Sequence, residues 1–85
     1  VDDHRLLARL ARGQVGNVRF TQICRLAEGL GFELRRVSGS HHIFAHPRVP
    51  DVLNLQDVHG QAKPYQIRQL LRLVERYDLK LEGEP

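Results

Sequence analysis

Only one cysteine, Cys24, occurs in the 85 residues. A single thiol makes no internal disulfide and no multi-cysteine zinc site, so the expected setting is reducing and cytoplasmic. No uncharged apolar run approaches the roughly 18 residues that span a bilayer. No charged stretch leads into an apolar one in the manner of a secretion signal. Tryptophan is absent, and three Phe and two Tyr are the only large aromatic side chains. That scarcity argues against single-strand recognition by base stacking. There is no Gly-rich phosphate loop of the Walker or dinucleotide type. No nucleophile elbow surrounds Ser38 or Ser40, and low-complexity tracts and internal repeats are missing.

What is present is ordinary globular material. Hydrophobic residues make up 41% and charged residues 27%, which predicts one small domain, residues 1–85, around one core. Thirteen Lys and Arg against ten Asp and Glu leave a net charge of +3, too small by itself to declare a nucleic-acid partner. The placement says more. Lys63, Arg68, Arg72 and Arg76 face only Glu75 between residues 63 and 77, and Arg35, Arg36 and Arg48 face only Glu33 between 30 and 48. Acids collect at the ends as Asp2, Asp3, Glu82 and Glu84. A basic middle suits a polyanion. On charge alone, a solvated helix face explains it equally well.

Periodicity divides the chain. Leu6, Leu7, Leu10 and Ala11 recur at helical spacing, so residues 2–12 read as a short helix, capped by Asp2 or Asp3 and ended by Gly13. Phe20, Ile23, Ala27 and Leu30 mark one face of a second helix, with Cys24 as a small core residue and Gly31 as a left-handed cap. The period then becomes two. Residues 32–35 alternate as a strand, Ser38-Gly39 marks a tight turn, and His41–His46 forms the returning strand of a hairpin. Pro47–Pro50 reads as a loop, 52–56 as a third strand, and His59-Gly60 as the start of another loop. Pro64 opens a last helix whose apolar stripe is Ile67, Leu70, Leu71, Val74 and Tyr77. Residues 78–82 are expected to fray or to add a short edge strand, and 83–85 to be disordered. The predicted fold class is α+β: a three-stranded antiparallel sheet with helices on one face, leaving the other face open.

Four of the five histidines lie between His41 and His59. Strand parity separates the first three. If Phe44 points to the helices, His42 and His46 share its side, and His41 projects from the open face with Ile43. An exposed histidine, ordinarily titrating near 6.5, exchanges protons at neutral pH. RNA cleavage by internal attack needs such a group. A base takes the proton of a ribose 2′-hydroxyl, that oxygen attacks the neighbouring phosphate, and an acid protonates the leaving 5′-oxygen. Positioned acid–base catalysis contributes on the order of 10²–10⁴ in rate, and cations such as Lys63 or Arg68 stabilise phosphate charge. For His41 the residues alone support catalysis and plain solvent exposure equally. Three histidines also suit zinc, but parity places His41 on the wrong side of the strand. No helical His-x-x-x-His pair or acidic ligand cluster accompanies them. His42 and His46 are expected to be partly buried, each with a hydrogen-bond partner.

The run Gly39-Ser40-His41-His42-Ile43-Phe44-Ala45-His46-Pro47 resembles the signature of HicA-type toxins of bacterial type II toxin–antitoxin pairs. Leu30-Gly31-Phe32 is similar to that family's helix-to-strand junction. Leu53-Asn54-Leu55-Gln56 followed by Ala62-Lys63-Pro64-Tyr65-Gln66 is similar to its third strand and last helix start. The likeness covers about residues 19–77. It implies an α-β-β-β-α fold like that of the double-stranded-RNA-binding domain. It also implies a small messenger-RNA endoribonuclease that needs no metal or other cofactor, with activity depending on the histidine after Gly-Ser, here His41. The implied partners are messenger RNA and a HicB-type antitoxin that covers the active site. Residues 1–17 are then an N-terminal helical extension and 78–85 a C-terminal tail, either of which packs on the core or forms a partner surface.

On this reading His41 is the general base or acid. Gly39, Ser40, Lys63, Arg68 and Arg72 are the RNA-binding residues, Lys63 by analogy with basic helix starts that meet phosphates in that fold. A non-catalytic RNA-binding module of the same fold is the alternative, and it predicts steeply salt-dependent binding indifferent to His41. A DNA-binding helix-turn-helix is disfavoured, because a strand-like segment and Gly39 follow where a recognition helix belongs.

Overall fold

A computed structural model describes residues 3–81. The order of elements is α1 (Asp3–Ala11), α2 (Phe20–Gly29), β1 (Glu33–Ser38), β2 (His41–His46), β3 (Val49–Val58), β4 (Gln61–Ala62) and α3 (Pro64–Tyr77). The strands form one antiparallel sheet in the order β1-β2-β3-β4. The fold is therefore α+β, an α-β-β-β-α unit preceded by an extra helix. Asp2 as a cap and the disorder expected at 83–85 lie outside the described residues.

Local chemistry sets the boundaries. At the start of α2 the Gln22 side chain accepts the Arg19 backbone N–H at 3.0 Å, satisfying one donor at the helix entrance. The helix ends in a Schellman motif. Gly31, at φ +100°, donates to the Glu28 carbonyl, and Phe32 donates to that of Ala27. The β1–β2 turn is Gly39-Ser40, with Gly39 at φ +60°, the positive first position that a tight hairpin turn of type II′ requires.

The first strand runs from Glu33 to Ser38 rather than over 32–35, and its turn is Gly39-Ser40 rather than Ser38-Gly39. Four further features differ from the sequence reading. The loop after β2 is only Pro47-Arg48, because His46 pairs with Val49 and Pro50 lies within β3. The strand tolerates Pro50 near its start, where a missing N–H costs little. Second, His59-Gly60 is a two-residue hairpin turn with both φ values positive, and it adds β4 as a fourth strand. A two-residue strand carries no periodic signal, so sequence pattern could not reveal it. Third, the buried face of α3 is Gln66, Ile67, Leu70 and Leu73, while Leu71, Val74 and Tyr77 are only partly buried. Leu71 and Val74 instead line a groove with Leu7 and Ala11 of α1, so α3 is covered from two sides. Fourth, residues 78–81 neither fray nor form a strand. Asp78 adopts a left-handed conformation at the end of α3, and Leu79 and Leu81 return to the core at 4% and 6% exposure.

The core lies between the helices and one sheet face. Phe44 from β2 and Leu53 and Leu55 from β3 point into it, against Ile23, Leu26, Ile67 and Leu70. The other sheet face carries His41, Ile43, Asn54 and Gln56, none of which is buried. The N-terminal addition is part of this core, since Leu6 and Leu10 of α1 are buried.

Candidate functional site

The site is built on the β1–β2 turn and the strand that leaves it. Ser38 pairs with His41 across Gly39-Ser40, so His41 is the first residue of β2. Its cross-strand neighbour is Gln56, and Ile43 pairs with Asn54. Alternation then puts His41, Ile43, Asn54 and Gln56 on the open face. His41 is half-buried there, and its Nδ1 lies 3.1 Å from Asn54 Oδ1. No described residue bonds its Nε2, and that nitrogen is not sealed from solvent.

A second layer holds this end of the sheet. Gln56 Nε2 donates to Ser40 Oγ at 3.3 Å, and the Asp57 N–H donates to the Ser40 carbonyl at 2.9 Å. On its other edge β3 meets β4 only at Asp57 and Val58, so the Gln56 N–H one residue earlier has no strand partner. Gln66 supplies one, accepting that N–H at 2.7 Å. This explains why a glutamine, at 3% exposure, is buried in the first turns of α3. The bond ties the start of α3 to the strand that faces His41.

The three clustered histidines separate by role. His46 is buried, with both nitrogens engaged. The Arg48 N–H donates to its Nδ1 at 3.0 Å, and Nε2 lies 3.1 Å from the Leu30 carbonyl. An acceptor at one nitrogen and a donor at the other fix a neutral ring with its proton on Nε2. This histidine joins the end of α2 to β2. Gly31 makes room for it, since a Cβ there would sit 2.7 Å from His46 Nε2. His42 departs from expectation. It meets Phe20 edge-on at a ring separation of 4.7 Å, but its Nδ1 is buried with no partner among the described residues. Phe20, Cys24 and Phe44 line the pocket around it together with Thr21, Arg25 and Glu28, and none of these bonds that nitrogen.

The other proposed RNA contacts are spread out. Gly39 has open space where a side chain would be, and Ser40 stands beside His41. Lys63 immediately precedes α3, next to Ala62, which pairs with Asp57. It therefore lies at the same end of the sheet as Ser40, with its ammonium 5.7 Å from the Tyr65 ring centre. Arg68 is exposed on α3. Arg72 lies farther along the helix, in a groove with Asp51, Val52, Gln69 and Arg76, beside the opposite end of β3. The structure thus gathers Gly39, Ser40, His41 and the start of α3, and sets Arg72 apart. Asn54, Gln56 and Gln66 were not singled out from the sequence as site residues. Their signal was faint: polar side chains at alternate positions of an otherwise apolar strand, and one glutamine on the apolar arc of a helix.

Among the described residues no group of three or more His, Cys, Asp or Glu is arranged to hold a metal. No helix among them is long and apolar enough to cross a membrane.

The comparison with known families places the chain in a class, the small toxin proteins of bacterial toxin–antitoxin pairs. Within it, the family model described as HicA toxin of bacterial toxin–antitoxin matches residues 20–75, about two thirds of the chain. The chain belongs to the HicA toxin family. No curated protein and no solved structure matches it.

Proposed function

We propose that this protein is an endoribonuclease toxin that cuts messenger RNA by internal attack and is held in check by a HicB-type antitoxin. The observation that carries the reading is His41, which presents an unbonded nitrogen on an open sheet face, directly after the Gly39-Ser40 turn. In the proposed reaction His41 takes the 2′-hydroxyl proton and the 2′-oxygen bonds to phosphorus. The bond from phosphorus to the 5′-oxygen breaks, and that oxygen leaves with a proton from an acid. The products are a 2′,3′-cyclic phosphate and a 5′-hydroxyl end. Gly39 leaves space for the RNA backbone, Ser40 and Lys63 meet phosphate at the reacting end, and Arg68 and Arg72 extend the cationic track along α3. Membership of a toxin family supplies the antitoxin as partner.

Incubation with a long RNA in EDTA tests this, with His41→Ala run alongside. Cleavage by the parent to cyclic-phosphate ends, and a loss of at least about 10²-fold in the variant, is the expected result. Equal cleavage by both removes His41 from the reaction. Salt-sensitive RNA binding with no cleavage by either identifies a binding module instead.

A further inference from the structure

His41 and His46 stand on one strand, and their hydrogen bonds demand opposite proton placements. At His46 a backbone N–H points at Nδ1 and a carbonyl faces Nε2, so the proton is on Nε2. At His41 the group facing Nδ1 is the Asn54 side-chain oxygen. An amide oxygen only accepts. Nδ1 must therefore carry the proton, and in the neutral ring Nε2 is left with a bare lone pair. That lone pair is the one with no partner among the described residues, and it is not sealed from solvent. Which ring nitrogen is protonated is set by the bond the other one makes.

From this arrangement we propose that Asn54 is a positioning residue: it holds His41 with the proton on Nδ1, so that Nε2 is the basic nitrogen presented to substrate. The catalytic half of this inference rests on the proposed ribonuclease reading; the proton placement does not. The geometry is preset by the sheet. Asn54 lies opposite Ile43 and diagonally across from His41 on the same face, within reach of a diagonal cross-strand pair. The strand that carries it is fixed beyond Asn54 by the bonds of Gln56 to Ser40 and Gln66. When Nε2 takes the 2′-hydroxyl proton, the ring becomes cationic with a proton on each nitrogen. The Nδ1–H bond to Asn54 then becomes charge-assisted and stronger, and Asn54 neither gains nor loses a proton. An unconstrained imidazole would spend part of its time with the proton on Nε2, unable to act as a base there.

Long-range proton–nitrogen NMR on the free protein, at a pH where both rings are neutral, reads the two tautomers in one spectrum. The expected pattern is Nδ1–H for His41 and Nε2–H for His46. Asn54→Leu should abolish the Nδ1–H signature at His41 and leave His46 unchanged, which also reports that the variant is folded. In RNA cleavage the same variant should lose about 10- to 100-fold in kcat with little change in KM. Asn54→Asp, which keeps an acceptor oxygen, should retain both the tautomer and most of kcat. Finding Nε2–H at His41 in the parent overturns the proposal, as does parental kcat in Asn54→Leu. Full cleavage by His41→Ala overturns the catalytic role at its root, and the tautomer spectrum, recorded without RNA, distinguishes that failure from a failure of Asn54.

Discussion

Burial first, and then the carboxylates of Glu28 and Asp57, push the Cys24 thiol up to about 12. The thiolate is the nucleophile, so the folded protein should resist iodoacetamide at pH 8 while the urea-unfolded chain reacts readily. Fast labelling of the folded state would contradict the burial. The same shift sets a pH dependence. The unfolded thiol loses its proton near 9.0 and the folded one near 12. Between these values the folded state holds more protons, so stability falls as pH rises. Below about 9 the contribution is complete. Cys24→Ala should flatten this alkaline decline in urea titrations run from pH 8 to 11. At this scale the histidines also show what one sequence can conceal. Parity separated His41 from His42 and His46, because alternation is a property of the strand itself. It could not say that His46 would find two partners and His42 Nδ1 none, since the Leu30 carbonyl and Arg48 N–H come from other turns of the chain.

Among the elements, α3 contributes more than an apolar face. Gln66 caps the Gln56 N–H that β4 is too short to reach. Removing a partner from a buried donor costs about 1–3 kcal/mol. Gln66→Ala should therefore lower unfolding stability by that amount, and amide exchange at Gln56 should accelerate with it; an unchanged Gln56 amide would refute the role. The extent of α2, α3 and β2 was legible in the residues. α2 and α3 have strong periods with Gly31 and Pro64 at their limits, and β2 spans the residues His41–His46 that its alternation marks. What was illegible depended on distant contacts. β3 runs beyond its alternating centre because β2 pairs with Val49 and β4 with Val58. Gln66 reads as polar until the gap beside Gln56 is known, and Leu73 reads as off-stripe until its place beside Asp51 and Val52 of β3 is known. The candidate site was legible at its turn, through Gly39-Ser40-His41, and not at Asn54, which is thirteen residues away in sequence from the ring it holds.

On the scale of the whole molecule, the segments outside the family match meet one another. A Cβ on Gly29, at the end of α2, would lie 3.1 Å from a Leu81 side-chain methyl and 3.5 Å from an Asp3 carboxylate oxygen. Leu6 and Leu10 from before the matched region, and Leu79 and Leu81 from after it, belong to one buried cluster with α2. Both additions are thus core material, away from the open face that carries His41. Leu81→Ala should cost about 2–5 kcal/mol yet leave RNA cleavage per folded molecule unchanged. A loss of kcat in fully folded Leu81→Ala would show that the additions reach the site.

This closure also orders events at the ribosome. Helix α1 is synthesised before every strand, yet the core it joins is completed by Leu79 and Leu81, which emerge only after the sheet and α3. A nascent chain carrying the whole Gly39-Ser40-His41 turn but not yet residue 79 therefore lacks part of the packing that supports it. The protein reaches its full packing only once Leu79 and Leu81 have been added, so its messenger is read through codon 81 before a fully packed copy exists beside it.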